Sequence, residues 1–193
     1  MNLRFVPILA NIALAACTTV PLTSIPQLAR IDFMTTDLAR MRIAMALPDA
    51  LQPRPGGVQM DIKIKLSDLP ERSEVLLPQE TNSPEDMKGL PPDLGATEKI
   101  HVYKLSASDV RKLELIRDEV KAAQSAHKRG SLAIGISAKD FCLAGKLPDG
   151  PALSNSYLFS SENQNYVTLS QNADLRAEPT IAKALSKLEA CDL

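Results

Sequence analysis

Nine consecutive residues constrain this chain more than any others: Val58, Met60, Ile62, Ile64 and Leu66 alternate with Gln59, Asp61, Lys63 and Lys65. In an extended chain successive side chains point to opposite faces, so this period of two puts five apolar groups on one side and four polar ones on the other. A helix would scatter both sets round its circumference. The stretch is read as an antiparallel strand with one face on a core and one in water. Met41, Ile43, Met45 and Leu47 repeat the pattern against Arg42, Ala44 and Ala46, and the intervening Pro53-Arg54-Pro55-Gly56-Gly57 carries turn chemistry.

Further strands are expected at 74–77, at 99–105, and after Gly130, where Leu132, Ile134 and Ile136 alternate with Ala133, Gly135 and Ser137. A shorter one is expected at 30–34. Residues 157–160 and 166–169 read as a hairpin across the polar tip 161–165. Between strands, Val110, Leu113, Ile116, Val120 and Ala123 recur at spacings of three and four, which marks an amphipathic helix. Ser106 is placed as its N-cap, Asp109 stands in its first turn, and Gly130 is read as the residue just past its end. A terminal helix is expected over 179–191, with Ile181, Leu185, Leu188 and Cys191 on one stripe. Strands and helices do not alternate regularly, so a doubly wound parallel sheet is disfavoured. The expected class is α+β: mainly antiparallel sheet or a two-sheet sandwich, with one long amphipathic helix and a C-terminal helix. Residues 81–96 break the periodicity with Pro84, Gly89, Pro91, Pro92 and Gly95, and read as a long loop. Its Met87, Leu90 and Leu94 form a candidate partner-binding loop, to be docked on the domain or on a partner; otherwise the segment is a mobile acidic excursion.

The N-terminus addresses the chain. Arg4 precedes a mostly apolar run to Ala15, broken by Pro7 and Asn11 and too short to cross about 30 Å of hydrocarbon as a helix. It reads as a cleaved export signal. Leu14-Ala15-Ala16-Cys17 closes that run and resembles the lipobox of bacterial lipoproteins. The resemblance covers residues 1–17 only. It implies cleavage before Cys17, a thioether-linked diacylglyceride on its sulfur, and acylation of the new amine, a lipid anchor firmer than one chain supplies. Thr18 departs from the aspartate that family sorting associates with inner-membrane retention, which favours the outer membrane. The alternative is a soluble secreted protein in which Cys17 is incidental. The expected organisation is a signal peptide over 1–16, the lipidated cysteine and an extended tether over 17–28, and one globular domain over 29–193.

With Cys17 lipidated, Cys142 and Cys191 remain as an even pair, read in an oxidising periplasm as a disulfide, with two buried free thiols as the alternative. Catalysis lacks a signature: no G-x-S-x-G elbow, no phosphate-binding glycine motif, and only two histidines, His101 and His127, outside metal-binding spacings. No catalytic residue, metal or cofactor is assigned. A net charge of -1 and an aromatic content of 4 % without tryptophan disfavour nucleic acid. Two readings survive. One is a non-enzymatic binding or structural module, held to the membrane by its lipid, facing the periplasm and contacting another envelope protein. The other is a carrier or sensor of a small apolar ligand in a cavity between sheet and helix, which Met41, Met45 and Met60 could line.

Overall fold

The computed structural model describes residues 20–66, 70–91, 98–128 and 130–191. In chain order the elements are α1 (Ile25–Leu28), β1 (Arg42–Pro48), β2 (Leu51–Pro53), β3 (Val58–Leu66), β4 (Arg72–Leu76), β5 (Gln79–Thr81), α2 (Pro84–Met87), β6 (Glu98–Lys104), α3 (Ala107–Ser125), β7 (Gly130–Ala138), β8 (Phe141–Leu143), β9 (Leu153–Phe159), β10 (Tyr166–Asp174) and α4 (Pro179–Leu185). All sheet pairings are antiparallel. A five-stranded sheet has the order β10-β9-β1-β6-β5, a three-stranded sheet the order β4-β3-β7, and β2 pairs with β8 as a ribbon. The class is α+β, as the periodicities require.

The main core joins the two larger sheets to α3. Val58, Met60, Ile62, Ile64 and Leu66 of β3 share it with Ile43 of β1, Leu76 of β4, Tyr103 of β6, and Leu113, Ile116 and Ala123 of α3. Burying each large apolar side chain contributes about 1.5–3 kcal/mol, so this one face of β3 is a major source of stability. Met41 and Met60 are 6 % and 1 % exposed, and Met45 packs against the same cluster. The methionines fill the core instead of lining a cavity, as flexible side chains do in irregular gaps.

The other face of β1 carries Arg42, Ala44, Ala46 and Pro48, and the two alanines at its centre are fully buried. Small side chains there leave room for a covering segment, and that segment is the first half of the expected loop. Residues 81–91 end β5 and form the single turn α2, so the stretch is structured over its described part. Pro84 opens the turn, where its missing N–H costs nothing.

Three further differences have local causes. Residues 20–28, expected to be extended, contain a 3-10 turn at Leu22–Ser24 followed by α1, and the turn lies against β10. Pro26 sits at the start of α1, where its fixed φ suits a helix as well as an extended chain. No strand forms at 30–34; the Asp32 side chain accepts from Met34 N–H and its carbonyl accepts from Thr36 N–H, closing a turn. The terminal helix stops at Leu185. Ser186 donates its hydroxyl to the Lys183 carbonyl, and the chain turns to run beside β8, where Cys191 N–H donates to the Leu143 carbonyl. Cys191 therefore leaves the helical stripe, and Ile181 on that stripe is 41 % exposed.

α3 begins as expected, with Ser106 Oγ accepting from Asp109 N–H at 3.1 Å. It ends earlier. His127 takes the left-handed conformation (φ 56°), and the bonds Lys128 N–H to Ala123 O and His127 N–H to Gln124 O close a Schellman motif. Gly130 is needed for another reason. It is the first residue of β7, and a Cβ there would lie 2.7 Å from Leu66 Cδ2 and 2.9 Å from the Lys65 carbonyl.

Candidate functional site

Cys17 and Leu94 lie outside the described residues. Cys142 and Cys191 are joined as a disulfide with a Cα separation of 4.8 Å. Cys142 stands opposite Gln52 in the ribbon, and a single parallel bridge pairs Leu143 with Ala190 beside it. Leu47, Leu51 and Leu185 form the small core beneath, with Phe141, Leu143 and Leu188 packed on it. The bond ties the C-terminal segment to the ribbon and leaves neither sulfur as a thiol.

Met87 and Leu90 are brought together, on the domain itself. Both pack on Ala44, Ala46, Val102, Tyr157 and Tyr166. What holds them there is Asp86, whose side chain is 9 % exposed. Its carboxylate accepts from Arg42 Nε at 2.6 Å and Thr81 Oγ1 at 2.7 Å, with Lys104 Nζ at 3.6 Å, while Tyr166 OH donates to its main-chain carbonyl. Burial alone would raise its pKa; the Thr81 and Arg42 hydrogen bonds and the charges of Arg42 and Lys104 outweigh this and hold it below the usual range. Gly89 follows at φ +84°, with Asn165 so close that a Cβ would meet Oδ1 at 2.8 Å. Nothing in the apolar periodicity announced this aspartate. Its only sequence signal is its place in the first turn after Ser83-Pro84.

A second polar group lies inside the fold. His101 is 3 % exposed and its Nδ1 is 2.8 Å from Glu80 Oε1 on β5, while Nε2 has no hydrogen-bond partner among the described residues. The Tyr103 hydroxyl is likewise buried without a partner, and burial, then the Glu80 charge, push its pKa upward. A histidine and a carboxylate could exchange protons, but a ring this enclosed offers no approach to a substrate. Among the described residues, no group of three or more His, Cys, Asp or Glu is placed to hold a metal ion.

Two of the surface grooves adjoining the sheets bear on the carrier reading. One of about 570 Å³ runs between Pro48-Asp49-Ala50 and the 144–153 loop, with Glu98 and Lys146 on its walls. The other, about 270 Å³, lies between α3 and the start of β7 and is lined by Phe33, Leu66, Val120 and Ala123. It sits between helix and sheet, but falls just short of the roughly 300–1,000 Å³ typical of small-molecule sites.

The remaining feature is a sheet edge. β7 pairs with β3 through nine consecutive residues without a bulge, from Gly130 opposite Leu66 to Ala138 opposite Val58. Among the described residues no strand pairs with its other side. It carries no charged residue and no proline over its whole length, and Ile134 is 41 % exposed. Natural edge strands are usually blunted by charge, proline, bulges or shortness. The other edges of the larger sheets follow that rule: β4 has five residues including Arg72 and Glu74, β5 has three including Glu80, and β10 is interrupted by register shifts between Thr168 and Ala173. Near the β4 edge, Val75 and Leu77 are also exposed, at 48 % and 50 %. The alternation at 132–137 identified β7 as a strand, but nothing in its charge-free sequence signalled that, among the described residues, one side of it is an edge.

No protein-family model matches this chain, and neither a curated protein nor a solved structure is significantly similar to it. The fold and the edge strand therefore define a class by geometry alone: an α+β domain with a Cys142–Cys191 disulfide and, among the described residues, an unblunted edge strand at its surface.

Proposed function

We propose that this chain is a lipid-anchored envelope protein, facing the periplasm with the outer membrane favoured, that works as a non-enzymatic contact module. The observation that carries the reading is the open edge of β7. The outer side of this nine-residue strand, without charge or proline and with the N–H and C=O groups of alternate residues directed away from β3, is suited to receive a strand from another protein, the main chain giving affinity and alternate side chains giving selectivity. The lipobox-like Leu14-Ala15-Ala16-Cys17 supports the anchorage, and the Cys142–Cys191 disulfide fits an oxidising compartment. The test is photo-crosslinking in intact cells from position 134, with position 88 on the exposed side of the α2 segment for comparison. Capture of a protein at 134 and not at 88 is expected. Absence of any protein adduct at 134 would remove β7 as the contact surface.

The groove between α3 and β7 favours a second reading, a carrier of a small apolar ligand. Crosslinking from position 124 on its rim separates the two, because a carrier would yield a lipid-sized adduct there.

A further inference from the structure

From Ser131 to Ser137 the edge strand reads Ser-Leu-Ala-Ile-Gly-Ile-Ser, which is nearly the same in both directions about Ile134. Antiparallel self-pairing about a two-fold axis requires this kind of self-complementarity, since residue i of one chain must suit residue j of the other and the reverse. Centred on Ile134, such a pairing sets Ser131 opposite Ser137, Leu132 opposite Ile136, Ala133 opposite Gly135, and Ile134 opposite itself. Every match is of like size and polarity. We propose that the β7 edge is occupied by β7 of a second copy of this chain, giving a continuous six-stranded antiparallel sheet β4-β3-β7-β7-β3-β4. This rests on the contact reading above and names its partner.

The neighbouring strands support the same register. β3 pairs with β7 so that Asp61 stands opposite Gly135 and Lys63 opposite Ala133. Carried across the seam, the row through Asp61 passes Gly135 and the second copy's Ala133 and reaches the second copy's Lys63. By symmetry the row through Lys63 ends on the second copy's Asp61. Both rows join opposite charges over the two smallest side chains of the strand, across three strand spacings or about 14 Å of backbone. The row through Lys65 ends on the second copy's Gln59. No row sets like charges against each other, which is the arrangement that would oppose the pairing. Along the central row the half-exposed Ile134 meets its own copy, removing apolar surface from water that the single chain leaves exposed. Anchorage of both copies to one membrane would raise their effective concentration, so a seam of modest intrinsic affinity suffices.

The experiment places single cysteines in the full-length protein in its native membrane. Ile134→Cys should give a disulfide-linked dimer on mild oxidation, because the two copies of residue 134 face each other. Ala133→Cys should give at least about fivefold less, since its two copies are offset by two residues, beyond the roughly 7 Å that a disulfide spans. Light scattering of the detergent-solubilised wild type should show twice the mass of Ile134→Lys, whose paired ammonium groups cannot share the central row. Should that variant lose its circular dichroism signal, the cysteine pair decides alone. A dimer equally strong from positions 133 and 134, or none from 134 together with monomeric wild type, overturns the inference. If no such dimer forms and photo-crosslinking from position 134 captures a different envelope protein, self-pairing is wrong and the contact reading stands; if it captures no protein at all, both fall.

Discussion

Asp86 shows how one side chain converts a proline-rich stretch into a fixed cover. It holds Arg42, Thr81 and Lys104 through its carboxylate and Tyr166 through its carbonyl, and so seats Met87 and Leu90 on the alanine face of β1. Asp86→Asn keeps the shape but leaves the largely buried Arg42 without a counter-charge, and should lower stability by about 2–3 kcal/mol. The pH dependence has a definite sign. The folded-state pKa of Asp86 lies below its unfolded value of about 3.9, so its stabilisation is complete above that pH and is lost as pH falls through the folded value. Urea midpoints should separate wild type from Asp86→Asn at pH 7 and converge towards pH 2. A gap that stays constant would show that the carboxylate charge is not what holds the segment. Glu162, kept low by the Thr36 hydroxyl against the raising effect of burial, adds to the same acid limb.

At the scale of elements, two ends invite tests. The Schellman end of α3 places His127 in the left-handed region, where a side chain is strained and glycine is not, so His127→Gly should raise stability by a few tenths to about 1 kcal/mol in thermal unfolding. Loss of stability would mean that the histidine ring makes a contact worth more than the strain. The C-terminal segment depends on the disulfide, because α4 has seven residues and only Leu185 of it is buried. Replacing both Cys142 and Cys191 by Ala should cost on the order of 4 kcal/mol by loop closure, and protease should then release the 179–191 segment first. These elements also mark where the sequence could be read and where it could not. β3 was legible to the residue because nine alternating side chains leave one solution, and α3 because its stripe from Val110 to Ala123 spans nearly four turns. β2, β5 and β8 have three residues each, too few to show a period. The terminal stripe ran on to Cys191 in the sequence, yet Ser186 and the pairing with β8 turned the chain aside. Periodicity says which face of a strand is wet. It does not say which strand lies next to it, so the two buried faces of β1 and the open edge of β7 appeared only with the topology.

At the scale of the whole molecule, the proposed lipid anchor would set how the domain stands on a membrane. Leu22–Ser24 is a 3-10 turn set against β10, so under the proposed anchorage at most Cys17 to Pro21 separate the lipid from the folded domain, no more than about 17 Å when extended. Val20 near the end of that stretch and Leu22 and Ile25 just after it are 39 %, 82 % and 50 % exposed. Exposed apolar side chains this near a lipidated cysteine would meet the interfacial layer, holding the domain close to the bilayer with its lateral motion confined to two dimensions. Cys17→Ser removes the acceptor for the lipid and with it this geometry. The variant should be lost from the membrane fraction while keeping its Cys142–Cys191 bond, which under the proposal depends on export and not on acylation. If β7 pairs with itself, the Ile134→Cys dimer should also weaken severalfold in the Cys17→Ser background, because two-dimensional confinement no longer raises the effective concentration. Membrane fractionation, mass spectrometry of the non-reduced protein and the oxidised gel read these three outcomes separately. Processing before residue 17 with retention in the membrane pellet would remove the lipid anchor. An unchanged dimer yield in released protein would show that the seam holds without the membrane's help.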